Sequence, residues 1–160
     1  MKLRRQRRPG QRGSALIEIA MSYGTLVIVA LLTLKASLNA TSGQTWTIKQ
    51  AMSDAYITRE TALASRVPFE ALTGGGSLWP ASPAVANSTV TIGRLPGGRT
   101  VTGTLNRTRY ADTNNLAAAG GTGTATTNPS GTEAWRVQSI LSYELGGRTY
   151  VKSRTVLRIR

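Results

Sequence analysis

The chain lacks both cysteine and histidine among its 160 residues. Without cysteine there is no disulfide to brace the fold and no thiol nucleophile. Without either residue there is no Cys/His metal site and no imidazole base. We therefore expect a protein that is not an enzyme and that needs no metal and no cofactor.

Acidic residues are also scarce, with 7 Asp+Glu against 20 Lys+Arg and a net charge of +13. Such a balance suggests a nucleic-acid partner, but its distribution favours another explanation. Six of the basic residues fall in the first 13 positions, where there is no acid: Lys2, Arg4, Arg5, Arg7, Arg8 and Arg12. A basic cluster beside an apolar run indicates membrane topology, because such flanks stay on the cytoplasmic side. Nucleic acid is therefore not the expected partner.

Residues 14–34 form an apolar run of 21 residues with a single charge, Glu18, and Lys35 closes it. A helix of that length spans about 30 Å, which is enough to cross a bilayer. An acid inside such a run is costly and is a functional residue by default. The run predicts a membrane-spanning helix in which Glu18 has a specific role.

Two ordinary explanations of this segment compete with a third. A secretory signal peptide has an uncharged apolar region of about 7–15 residues, whereas this run is longer and contains Glu18. Its best small-residue cleavage site follows Ala40 but has the bulky Leu38 where a small residue is preferred. A plain signal anchor explains the length and the basic flank, yet it leaves Glu18 without a role.

The third explanation comes from residues 12–18, Arg-Gly-Ser-Ala-Leu-Ile-Glu. They resemble the prepilin peptidase motif of type IV pilins and pseudopilins, in which a basic leader ends in Gly and a Glu stands fifth after the cut. The resemblance implies cleavage between Gly13 and Ser14, N-methylation of Ser14, and Glu18 as the fifth mature residue. The segment is also similar to pilin-like proteins of tight-adherence systems, so the subfamily stays open.

This resemblance implies a structural subunit of a pilus-like filament. In the family, the Glu neutralises the amino terminus of a neighbouring subunit during assembly, and Glu18 would do so here. The implied partners are prepilin peptidase, copies of the chain or related pilins in a helical filament, the inner-membrane assembly platform, and membrane lipid before assembly. The implied location is the inner (cytoplasmic) membrane, with the leader in the cytoplasm, and then an extracellular or periplasmic filament. Adhesion, motility, DNA uptake and secretion all remain open as its task.

The helical pattern continues beyond the membrane segment. Apolar residues recur at helical spacing and predict one packed face: Ile48, Met52, Ala55, Tyr56, Ala62 and Leu63. Pro68 ends the pattern, because a proline disfavours helix at the residue before it. The sequence thus predicts a helix running from Ser14 to Arg66, followed by a loop over residues 73–86.

The remaining residues predict a sheet. Thr/Val-rich segments at 88–95 and 99–110 flank the turn residues 96–98, and alternating segments at 133–145 and 148–160 flank Gly-Gly. The predicted fold class is α+β, with a long amino-terminal helix packed on about four antiparallel strands. On the last strand we predict one face with Val151, Ser153, Thr155, Leu157 and Ile159, and an opposite, solvated and basic face with Arg148, Tyr150, Lys152, Arg154, Val156 and Arg158.

These patterns divide the chain into consecutive segments. Residues 1–13 are a basic leader, residues 14–35 a transmembrane or filament-core helix, and residues 36–67 its amphipathic continuation. Residues 68–160 are a β-rich head, with a long exposed and flexible loop near 111–131.

A different class of function also fits the sequence. The chain would then be a membrane-anchored binding module that never polymerises and holds an anionic ligand on its basic sheet face. Against this, Arg and Lys on a terminal strand also protect a sheet edge from unwanted pairing.

Overall fold

A long helix opens the described part of the protein. The computed structural model describes the backbone from Gln11 and the side chains from Ala15 to Arg160. Helix α1 runs without a break over Gln11–Arg66, which confirms the predicted helix, and a short helix α2 follows at Phe69–Thr73. The proposed leader lies largely in residues 1–10, outside the described residues, so it stays a prediction.

Four strands follow the helices: β1 (Ala86–Arg94), β2 (Thr100–Ala111), β3 (Ala134–Leu145) and β4 (Arg148–Ile159). They form one sheet in the order β1-β2-β3-β4, and every neighbouring pair is antiparallel. The α+β class and the four antiparallel strands are therefore confirmed, with strand ends within two residues of the predicted ones. In this meander β1 and β4 are the edge strands.

The chain separates into two compact units, Met1–Gln44 and Thr45–Arg160. The second unit contains the carboxyl half of α1 together with the sheet. Its core has two clusters on one face of the sheet. The first is Ile57, Leu105, Leu141, Tyr143 and Leu145; the second is Ala64, Leu72, Trp79 and Val137. Each cluster joins α1 to the sheet, so burial of apolar side chains between these layers stabilises the unit.

The buried face of α1 differs from the predicted one. Ala55 and Ala62 are exposed, whereas Ser53, Ile57, Glu60 and Ala64 form the line of deepest burial. Partly buried Met52, Tyr56 and Leu63 flank that line, as predicted. A hydrophobicity pattern missed the two polar members because each has a partner inside the unit. The Ser53 hydroxyl donates to the Gln50 carbonyl at 2.8 Å, and the Glu60 carboxylate binds an arginine of β2.

The assignment of the two faces of β4 was wrong. The predicted apolar face is the solvent-facing one, with Val151, Leu157 and Ile159 all exposed. The predicted basic face turns toward α1, and its Tyr150 and Val156 pack against the two core clusters. The reason is register. The turn at Gly146 and Gly147 places Leu145 opposite Arg148, so the buried odd-numbered residues of β3 share a face with the even-numbered residues of β4.

The segment between β2 and β3 is held by asparagine side chains. Asn115 is buried, with its amide donating to the Ala134 carbonyl at 2.9 Å and accepting from the Ala134 N–H at 2.8 Å. Asn128 accepts from the Thr132 N–H at 3.1 Å and donates to its carbonyl at 2.9 Å. The prediction of an exposed segment is therefore wrong at Asn115, whose buried amide is satisfied by the backbone of Ala134. The predicted flexibility of this segment stays a prediction.

Candidate assembly segment and the charged face of the sheet

The amino half of α1 presents an extended apolar surface, which contains one charge, Glu18, within residues 15–34. Every residue from 15 to 44 is exposed within this chain. The large apolar side chains among them are Leu16, Ile17, Ile19, Met21, Tyr23, Leu26, Val27, Ile28, Val29, Leu31, Leu32, Leu34 and Leu38. By length and composition this helix is able to cross a membrane, a criterion that secretory signal sequences also meet. An apolar surface of this extent requires lipid or protein around it.

Two threonine hydroxyls inside this surface bind the helix itself. Thr25 donates to the Ser22 carbonyl at 2.8 Å, and Thr33 donates to the Val29 and Ala30 carbonyls at 3.1 and 2.9 Å. In an apolar environment a hydroxyl without a partner is costly, and bonds to carbonyls three or four residues earlier remove that cost. These two threonines are therefore compatible with lipid or with a helix bundle. Only Glu18 is left with a charge.

Glu18 lies on this exposed helix in a shallow surface groove formed with Ala15, Ile19, Ser22 and Leu26. Among the ion pairs of the described residues, none involves its carboxylate. Gly13 and Ser14, the predicted processing residues, are helical in backbone, and their side chains lie outside the described residues. The structure therefore places Glu18 on the apolar surface and brings no cation of the described residues to it.

The face of the sheet that packs on α1 carries charged side chains that have defined partners. Arg107 of β2 binds Glu60 of α1 through two hydrogen bonds, of 2.7 Å from Nε and 2.8 Å from Nη2. The hydrogen bond to Glu60 raises the pKa of Arg107, while burial opposes this effect. Burial and the Glu60 carboxylate raise the pKa of the neighbouring Tyr56. This pair of a buried Glu60 and a half-buried Arg107 links the helix to the sheet.

Arg109 is buried, and carbonyl oxygens rather than a carboxylate surround it. Its guanidinium donates to the carbonyls of Leu72, Thr73 and Trp79 and lies 5.2 Å from the centre of the Trp135 ring. Burial lowers its pKa. By binding the last carbonyls of α2 and the loop that follows, Arg109 fixes that loop against the sheet.

Two of the basic residues of β4 are also engaged. Lys152 forms an ion pair with Asp54 at 2.7 Å and donates to the Gln50 carbonyl at 3.2 Å, and Arg158 donates to the Ala64 carbonyl. Arg148 and Arg154 are exposed and have no carboxylate partner within residues 15–160. The face predicted to be solvated and basic is thus partly used to hold α1.

Sequence reasoning did not identify Glu60, Arg107 and Arg109 as structural residues. A signal was available in β2, because Arg107 and Arg109 alternate in phase with the apolar Val101 and Leu105. Side chains two residues apart share a face of a strand, so this phase places both arginines on the buried side.

No family model, no curated protein and no solved structure matches this chain. Its description therefore depends on its own sequence and structure: a long amino-terminal helix, apolar and exposed in its first half, and an antiparallel sheet on which its second half packs. This arrangement is compatible with a pilin-like fold.

Proposed function

We propose that this protein is a structural subunit, a pilin or pseudopilin, of a type IV pilus-like filament. It is made with a basic leader in the cytoplasm, cut between Gly13 and Ser14 by prepilin peptidase, and held in the inner membrane until assembly. It has no catalytic activity of its own. The partners of the mature chain are membrane lipid, the assembly platform and other pilin subunits.

The observation that carries this proposal is the exposed apolar surface with its single charge. A plain membrane anchor gains nothing from Glu18, since an acid in the apolar run costs a few kcal/mol on insertion scales. In a filament the cost is offset when Glu18 pairs with the amino group of a neighbouring Ser14. Cleavage after Gly13 creates that amino group, so processing and assembly depend on each other.

The alternative is a membrane-anchored module that binds an anionic ligand on its sheet. The inner face of β4 supports it less than the sequence suggested, because Lys152 and Arg158 bind α1. The two functions differ in what they require of Glu18.

The first test is the mature amino terminus, measured by mass spectrometry of the protein from its native cells. We expect a chain that begins at Ser14 and is heavier by one methyl group. A chain that begins at Met1, or at Thr41 after signal-peptide cleavage, contradicts the proposal.

The second test is the substitution Glu18→Leu. We expect the variant to be processed and to remain in the membrane, while its recovery in sheared filaments falls by about tenfold or more, in keeping with the loss of one buried ion pair. The matched control is Ser22→Leu, which adds a similar side chain one turn away and leaves Glu18 intact. Normal filament recovery for Glu18→Leu supports the tethered binding module instead.

A further inference from the structure

The outer edge of β4 is free to accept another strand. β4 is 12 residues long and, among the described elements, pairs only with β3. The turn between them has two residues, Gly146 and Gly147, with φ of 59° and 75°, as in a type I′ hairpin. Leu145 and Arg148 are then a hydrogen-bonded pair, so the even-numbered residues of β4 bond to β3. The N–H and C=O groups of its odd-numbered residues point away from the sheet.

Two of the devices that block a sheet edge, a bulge and a proline, are missing from β4, which leaves its charged side chains as the remaining one. The other edge strand, β1, has nine residues and an irregular register between Thr91 and Gly93. β4 pairs with β3 in unbroken register and contains no proline. Its outward side chains include Val151, Leu157 and Ile159, which are 61%, 54% and 59% exposed. A long and regular edge strand with apolar side chains on its outward face is a template for strand addition.

The charges on β4 determine what kind of strand fits. Arg148 and Arg154 stand on the opposite side of the strand from Val151 and are both exposed. A strand added beside β4 places its side chains directly opposite, on the same faces. Its side chains next to Val151 and Leu157 would be apolar, and those next to the two arginines would be acidic.

A second copy of this chain does not meet that requirement. The four strands contain one acidic residue, Glu144, and it lies in β3, which is paired on both sides. Pairing of β4 with β4 would bring arginine and lysine side chains together, which is unfavourable between directly opposite residues.

We propose that the free edge of β4 binds an extended, acidic segment of a different protein as a fifth strand of the sheet. Backbone hydrogen bonds to the odd-numbered residues provide the affinity. Alternation of acidic and apolar side chains in the partner provides the specificity. This binding site does not depend on the filament proposal, since it belongs to the sheet alone.

The test uses the full chain in a nonionic detergent and a synthetic peptide of about nine residues, close to strand length, in which Glu and Val alternate. Binding is followed by fluorescence anisotropy of the labelled peptide, and the paired amides are located by hydrogen exchange. We expect binding that weakens with salt, together with slower exchange at Val151, Ser153 and Thr155. A peptide with Lys in place of Glu should bind at least about tenfold more weakly.

Two matched pairs of variants isolate the backbone and the charge. Thr155→Pro removes an outward N–H without touching the bonds to β3, and we expect about tenfold weaker binding, whereas Thr155→Ala keeps the N–H and the affinity. Arg154→Gln should weaken binding and reduce its salt dependence, whereas Arg94→Gln removes an exposed charge from the other edge strand without effect. Circular dichroism confirms that each variant is folded.

Three results would overturn the proposal. One is equal binding by Thr155→Pro and Thr155→Ala when both are folded. Another is slower exchange at β1 instead of β4. The third is a concentration-dependent dimer that Thr155→Pro abolishes and that excludes the acidic peptide, because the edge would then belong to a second copy.

Discussion

The ion pair between Glu60 and Arg107 allows the energetics of the second compact unit to be tested in detail. The Glu60 side chain is 3% exposed and the Arg107 side chain 17% exposed, and two hydrogen bonds of 2.7 and 2.8 Å join them. The Arg107 guanidinium also lies 5.5 Å from the centre of the Trp79 ring. Glu60→Ala removes one partner and leaves a cation in this partly enclosed position.

Breaking a buried ion pair from one side costs about 3–5 kcal/mol, because the remaining charge has lost its partner. Arg107 retains some access to water, so we expect the lower end, about 3 kcal/mol. The free energy of unfolding of a domain is about 5–15 kcal/mol, so this loss is a large part of the total. The double variant Glu60→Met with Arg107→Met removes both charges, and its stability should lie within about 1 kcal/mol of the wild type.

The assay is urea unfolding of the full chain in a nonionic detergent, followed by tryptophan fluorescence, to which the buried Trp79 contributes together with Trp46 and Trp135. Asp54→Ala is the control, because it breaks the ion pair with Lys152 where the Asp54 side chain is 58% exposed. We expect that control to lose no more than about 1 kcal/mol. If Glu60→Ala is as stable as Asp54→Ala, or if the double variant is less stable than Glu60→Ala, the pair does not have the role we assign to it.

Two further predictions concern the loop before β3 and the face of α1 that packs on the sheet. Asn115→Ala leaves the N–H of half-buried Ala134 without its partner, while the Ala134 carbonyl keeps its bond from the Asp112 N–H at 2.9 Å. We therefore expect a loss of about 1 kcal/mol in urea unfolding and faster amide exchange at Ala134, whereas equal stability would show that water replaces the amide. Because the pKa of Tyr56 is raised in the folded protein, its hydroxyl loses its proton at a lower pH in the unfolded chain than in the folded one. The free energy of unfolding should therefore fall as pH rises above about 10. Tyr56→Phe should flatten that fall up to the pKa of the folded state, and an unchanged slope would contradict the assignment.

Much of the fold was accessible from local patterns. The α1 helix, its end before Pro68 and the four antiparallel strands follow from apolar periodicity and from turn residues, and the structure confirms them. The apolar half of α1 and the position of Glu18 within it likewise follow from the order of residues in the sequence. Prediction succeeded here because each feature depends on residues close together in sequence.

The errors arose where two distant segments meet. Ala55 was assigned to the buried face of α1 and Glu60 was not, because hydrophobicity alone does not show that Arg107 stands opposite to receive a carboxylate. The burial of Asn115 depends in the same way on the backbone of Ala134. The burial of a polar side chain can be predicted only when its partner is known.

Strand β4 shows most clearly how local patterns differ from tertiary structure as a source of information. Alternation within β4 gave two possible faces of similar apolar content, and the more apolar one was assigned to the core. The two-residue turn pairs Leu145 with Arg148, and this register places the even-numbered residues of β4 on the core side.

The sequence by itself determined the helix, the strands, the turns and the single acid in an otherwise uncharged apolar run. Those features arise from backbone preference and hydrophobic period, which act over a few residues. Only the tertiary structure decided which arginine is buried, which face of β4 meets solvent, and that this edge strand carries exposed apolar side chains on one face and exposed arginines on the other. Burial and pairing are properties of two surfaces in contact, and the second surface is distant along the chain.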